Sequence, residues 1–136
     1  LLGFACYLAR LQARANRYFI LEHPARATSW LTAPVIELRT EPSVEMVTFD
    51  QCCFGLRTPT TPDGDFFPIR KRTTFMTHFP RCARAFSDKQ CVCTQRHIHI
   101  QGHFSGHKLS IWCEVYPPSL CRALAQLLVP IPQTID

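Results

Sequence analysis

The sequence lacks the short loops through which proteins commonly grip a cofactor or arm a nucleophile. No Gly-x-Gly turn joins a strand to a helix, no phosphate loop is present, and no Gly-x-Ser-x-Gly elbow presents a serine. A His-x-Glu segment paired with Pro-Cys-x-x-Cys is missing as well, which excludes the zinc deaminase arrangement. No uncharged apolar run approaches the roughly 20 residues that a membrane-crossing helix needs. The chain opens on Leu1-Leu2-Gly3-Phe4 with neither an initiator Met nor a basic leader, and the expectation is a chain that begins mid-protein.

What the chain does have is material for a core. Its 136 residues are 46% hydrophobic and only 18% charged, with 10 Phe, which argues for a folded body and against disorder. Residues 1–136 have the length of a single domain. Fifteen Lys and Arg against ten Asp and Glu leave +5, with most of the basic residues between Arg10 and Arg26 and between Arg57 and Arg96. That field favours polyanionic partners, and the plain alternative is solubility. Eight Cys in a short chain raise the question of a disulfide scaffold. Adjacent Cys52 and Cys53 cannot easily pair with each other, and Cys6 and Cys121 fall inside helical apolar patterns. The expectation is core and surface thiols in a reducing compartment, hence an intracellular protein of the cytoplasm or nucleus.

Leu1, Phe4, Ala5, Leu8, Leu11 and Ala15 recur at helical spacing and predict a helix from Phe4 to Asn16. Tyr18 to Glu22 reads as a buried strand stopped by Pro24, with Glu22 and His23 at its end. A short helix over Trp30 to Leu38 follows, then a strand over Val44 to Phe49, a loop from Thr58 to Asp65, and a strand over Thr73 to Thr77. A helix is expected around Cys82 to Phe86, an alternating extended segment over His97 to Gln101, and a closing helix from Leu120 to Leu128 entered through Pro117-Pro118. Helices alternating with strands predict a layered α/β sheet of the doubly wound, Rossmann-like kind with flanking helices, in an incomplete domain.

Three constellations could carry chemistry. Glu22-His23-Pro24 follows a strand, and in open α/β sheets ligands bind beyond the strands' carboxyl ends; the plain alternative is a Glu bonded to a neighbouring helix N-terminus. Arg70-Lys71-Arg72 would approach Asp50 if the two strands are neighbours, and would clamp a phosphate or set the position of Asp50; otherwise it is a charged edge that resists aggregation. The third is Cys91, Cys93, His97 and His99, with His103 and His107 beyond. Thiolates and imidazoles suit zinc, although paired Cys in knuckles and fingers usually have roughly two to four residues between them and this pair has one. An exposed polar hairpin is the alternative.

Together, the strand with Glu22-x-Pro24, Asp50-Gln51-Cys52-x-Phe54-Gly55, Arg70-Lys71-Arg72-Thr73-x-Phe75-x-Thr77, the Cys and His residues, and Tyr116-Pro117-Pro118-Ser119-Leu120-Cys121 resemble the C-terminal half of phage-type DNA cytosine methyltransferase-like proteins. The resemblance runs from Arg17 to Leu128 and extends to segments of retroelement-type polyproteins. It implies a methyltransferase-like fragment whose cofactor-binding half is missing, with Glu22 as the catalytic residue gripping a flipped base and Arg70, Lys71 and Arg72 contacting DNA. S-adenosylmethionine would bind only with the missing N-terminal half, and the remainder of the parent polypeptide would be a partner. His23 departs from the Asn of the family's Glu-Asn-Pro segment, and none of the eight Cys follows a Pro. The chain is therefore expected to be inactive alone. The second expectation is a non-catalytic nucleic-acid-binding module of a retroelement-type polyprotein, braced by zinc.

Overall fold

The computed structural model describes residues 1–129. The chain divides into two compact units, the first formed by Leu1–Asp50 with Lys71–Val92 and the second by Gln51–Arg70 with the chain from Cys93 onward. Among the described residues, no helix is long and apolar enough to cross a membrane.

In the first unit, helix α1 (Leu2–Arg14) is followed by strand β1 (Ile20–Pro24), a 3₁₀ turn over Thr28–Leu31, helix α2 (Ala33–Arg39), strands β2 (Glu45–Asp50) and β3 (Arg72–Thr77), and helix α3 (Pro80–Phe86). Asn16 stops α1 by taking a left-handed φ of 52°, a conformation that Asn tolerates better than most residues. The N–H groups of Asn16 and Arg17 then reach back to Ala13 O (2.9 Å) and Gln12 O (2.8 Å), satisfying carbonyls that the helix end would otherwise leave bare. Pro34 sits in the first turn of α2, where its missing N–H costs nothing.

The sheet corrects the Rossmann-like expectation. Its order is β1-β3-β2, and β3 is antiparallel to both neighbours. Strands β1 and β2 point the same way and are joined through α2, as in a doubly wound fold, but β3 occupies the place between them. No parallel pair forms in this sheet, and the described residues are mixed α/β with small antiparallel sheets. The cause lies in the excursion of residues 51–70, after which the chain returns in the direction opposite to β2.

Side-chain alternation sorts the sheet into two faces. On one, Met76 packs with Cys6 and Ala9 of α1 and Val35 and Leu38 of α2, while Leu21, Met46 and Trp30 close around them. Small residues at Cys6 and Ala9 let α1 lie near the sheet, and Arg10 and Arg14 tie it to Glu37 of α2 and to Glu41 just past the helix end at 2.7–3.2 Å. On the other face, Phe49, Phe75 and Phe86 of α3 form a ring triangle with centroids 4.7, 4.8 and 5.2 Å apart. Such aromatic contacts add about 0.5–1.5 kcal/mol each beyond the area they bury.

The second unit opens with a 3₁₀ turn over Gln51–Phe54. An antiparallel bridge joins Arg57 to Pro68 and a parallel bridge joins Ile69 to Ile98. A hairpin follows, β4 (His103–Phe104) and β5 (His107–Lys108), turned by Ser105 and Gly106 at φ 46° and 80°. Two positive φ values in a two-residue loop match the twist of paired strands. Helices α4 (Leu109–Trp112) and α5 (Pro118–Leu128) complete the unit. Leu56, Ile69, Leu109 and Cys113 form a small core, flanked by Ile98, Ile100 and Phe104.

Candidate metal centre

The site begins where β2 ends. Asp50 is buried there, directly across from Arg72 of β3. Its backbone N–H donates to Lys89 O (2.9 Å), and its carboxylate Oδ2 accepts the N–H of Cys91 (2.9 Å). Between these two, Gln90 donates from Nε2 to Thr48 O (2.7 Å) and accepts from Arg72 Nη2 (2.9 Å). The bonds through the Asp50 carboxylate and the Arg72 guanidinium are charge-assisted, the stronger class of hydrogen bond. The segment from Lys89 to Cys91 is thereby pinned along the end of β2.

Two residues past Asp50 stands Cys52, inside the turn that opens the second unit. Gly55 closes that turn at φ 83°, with its N–H on Cys52 O (3.0 Å) and the N–H of Leu56 on Gln51 O (3.2 Å). This pair of bonds is the arrangement that ends helices on a left-handed residue, and glycine takes that conformation without a Cβ clash. The backbone carrying Cys52 is therefore held at both of its carbonyl neighbours.

His97 is positioned by the residue after it. The Ile98 N–H donates to Pro68 O (2.9 Å), and its carbonyl accepts from Arg70 N–H (3.0 Å). Ile98 and Ile100 pack against the small core, so alternation along the segment turns His97 away from it. One ligand atom from each of Cys52, Cys91, Cys93 and His97 comes to lie within 4.8 Å of the other three. Cys52, Cys93 and His97 belong to the second unit, and Cys91 comes two residues before Cys93 on the chain.

The donor set suits zinc. Three thiolates with one imidazole are among the standard structural combinations, and bonds of about 2.3 Å in a tetrahedron place sulfurs about 3.8 Å apart. Separations within 4.8 Å leave no more than about 1 Å for the side chains to close. Cys52, Cys91 and His97 are half-buried and Cys93 is exposed, so an ion can reach the group from solvent. None of the eight cysteines is in a disulfide. Cys6 and Cys82 are core thiols, and burial pushes the Cys82 thiol up to about 11.

The remaining expected residues fall elsewhere. His99 is exposed and outside the group, and Cys52 takes the place expected for His99. Adjacent cysteines ahead of Gly55 were the one signal for Cys52, whereas nothing local marked Asp50 as the anchor of Cys91. Glu22 sits mid-strand in β1, an edge strand, opposite Phe75, and makes no hydrogen bond or ion pair among the described residues. Alternation places Glu22 on the Phe75 face and Arg72, three residues from Phe75, on the Met76 face. Arg70 belongs to the second unit, with an exposed side chain, and Lys71 is half-buried at the entry to β3.

No family model, curated protein or solved structure matches the chain.

Proposed function

We propose that the chain is a zinc-braced, non-catalytic module that binds nucleic acid. The observation that carries this reading is the Cys52, Cys91, Cys93 and His97 group. Four protein ligands fill a tetrahedral ion and leave no position for water or substrate, which is the mark of a structural site as against a catalytic one. When bound, zinc would hold Cys52, Cys93 and His97 to one another across a unit whose apolar core is small. Asp50 and Gly55 would serve as positioning residues, the first for Cys91 and the second for Cys52. The net charge of +5 supports a polyanion as partner. Arg10 and Arg14 are neutralised by Glu37 and Glu41, which leaves exposed cations such as Arg70 for phosphate contacts. A module carried within a retroelement-type polyprotein would have these properties. The base-gripping methyltransferase reading would need Glu22 and the basic cluster at one pocket, and Arg72 lies on the sheet face opposite Glu22.

Zinc content and nucleic-acid binding test the two halves of the proposal separately. Labelled duplex and single strand titrated at several salt concentrations should bind with an affinity that falls steeply as salt rises, through counterion release. Absence of binding at low salt removes the nucleic-acid half, and a zinc content near zero removes the brace.

A further inference from the structure

The second unit contains an open cavity of about 710 Å³. That is within the range of roughly 300–1,000 Å³ typical of small-ligand sites. Its walls are mainly apolar, supplied by Leu56, Ile111, Val115 and Pro117 together with the rings of Trp112 and Tyr116. Among the described residues, the charged ones that line it are Arg57 and Arg122, with no carboxylate.

Three details show what such a cavity would take. The indole of Trp112 is fixed in place, because its Nε1 donates to Arg57 O (2.9 Å), and it remains 39% exposed. The Arg57 guanidinium lies over the Phe66 ring at 4.4 Å, which orients it without neutralising it. Neither Arg57 nor Arg122 has a carboxylate partner among the described residues. A held aromatic side chain sharing a cavity with two arginines suits a flat ring that carries phosphate. An acidic peptide would satisfy the arginines and leave the indole unused. A base inside a duplex is already stacked on its neighbours and would not be available.

We propose that this cavity receives a base of single-stranded nucleic acid, stacked on Trp112 with its flanking phosphates on Arg57 and Arg122. The inference rests on the nucleic-acid reading above and gives it a location and a strand preference. Stacking platforms of this kind tolerate any base, so the preference is for unpaired strands over duplexes and not for a sequence.

The test uses the full, zinc-loaded chain and fluorescence anisotropy with a labelled single strand of about 12 nucleotides, the matching duplex, and an acidic peptide of equal charge. The single strand should bind at least about tenfold tighter than the other two, and Trp112→Leu should weaken it about five- to a hundredfold. Arg122→Glu, at an exposed position on α5, should weaken it similarly while the circular dichroism spectrum is unchanged, which separates binding from folding. Both variants binding the strand as the parent chain does would overturn the cavity assignment and leave the nucleic-acid reading standing. A preference for the acidic peptide would overturn the ligand class. Failure of the parent chain to bind any strand at low salt would overturn both.

Discussion

Replacing Cys52 with Ser should strip the chain of most of its zinc affinity, while the same change one residue later, at Cys53, should not. Cys52 belongs to the four-residue ligand group and Cys53 does not, although both are carried by the turn that Gly55 closes. Structural zinc in finger peptides binds with roughly 10–16 kcal/mol at neutral pH. Shared among four ligands, that is about 2.5–4 kcal/mol each, or roughly a hundred- to a thousandfold in affinity for one ligand. The comparison with packing shows why the second unit should respond. Its apolar cluster of Leu56, Ile69, Leu109 and Cys113, with Leu120 and Leu127 also buried on α5, is small, and a fully buried aliphatic side chain contributes only about 1.5–3 kcal/mol. Competition against a chromophoric chelator at neutral pH measures the affinity, and hydrogen exchange locates the consequence. Amides of the second unit around Ile69 and Ile98 should lose protection in Cys52→Ser, while those of β3 should keep theirs. Equal zinc affinity in Cys52→Ser and the parent chain would refute the ligand assignment, as would an equal loss in Cys53→Ser.

Asp50→Ala removes the acceptor of the Cys91 N–H and should lower stability by about 1.5–3 kcal/mol, the range for a hydrogen bond to a charged group, with weakened zinc binding alongside; chemical denaturation and chelator competition check both. Phe86→Ala empties one corner of the Phe49, Phe75 and Phe86 triangle and should cost about 3–5 kcal/mol in denaturant unfolding, without changing zinc affinity. Burial raises the Cys82 thiol from 9.0 to about 11, so it should resist iodoacetamide at about pH 8 until the chain is unfolded. The sign follows from the neutral thiol being the form that the core accepts. Its contribution is complete below 9.0 and disappears as pH rises through about 11, and Cys82→Ala should abolish that part of the alkaline fall in melting temperature.

Local periodicity made the elements legible. The apolar spacing of α1, the β-rich runs of β1, β2 and β3, and the Pro-led start of α5 were all visible along the chain. Their arrangement was not, because the direction of β3 depends on the excursion between Gln51 and Arg70, which is held by its own hairpin-like pairing and by one distant partner. Thr58 N–H bonds Phe67 O, and Ile69 meets Ile98, a contact that no window of neighbouring residues contains. An alternation of helix and strand is equally compatible with a parallel sheet and with one whose middle strand is supplied later. The metal group divides in the same way. Cys91, Cys93 and His97 stand close together in the sequence and share a metal-binding chemistry, whereas Cys52 belongs to a separate stretch of the chain, in the turn after β2. His99 shares a side with His97 by alternation, and that periodicity carries no information about a thiol arriving from another segment. The cavity around Trp112 left no sequence signal, since its walls come from the Phe54–Arg57 and Ile111–Arg122 stretches.

The central claim is that Cys52, Cys91, Cys93 and His97 together hold one zinc ion, and native mass spectrometry of the intact chain tests it most directly. The account predicts a single zinc per chain that survives gentle desalting and is lost together with second-unit structure when the thiols are blocked. A chain that carries no zinc, and takes up none when zinc is supplied to the reduced protein, would contradict it.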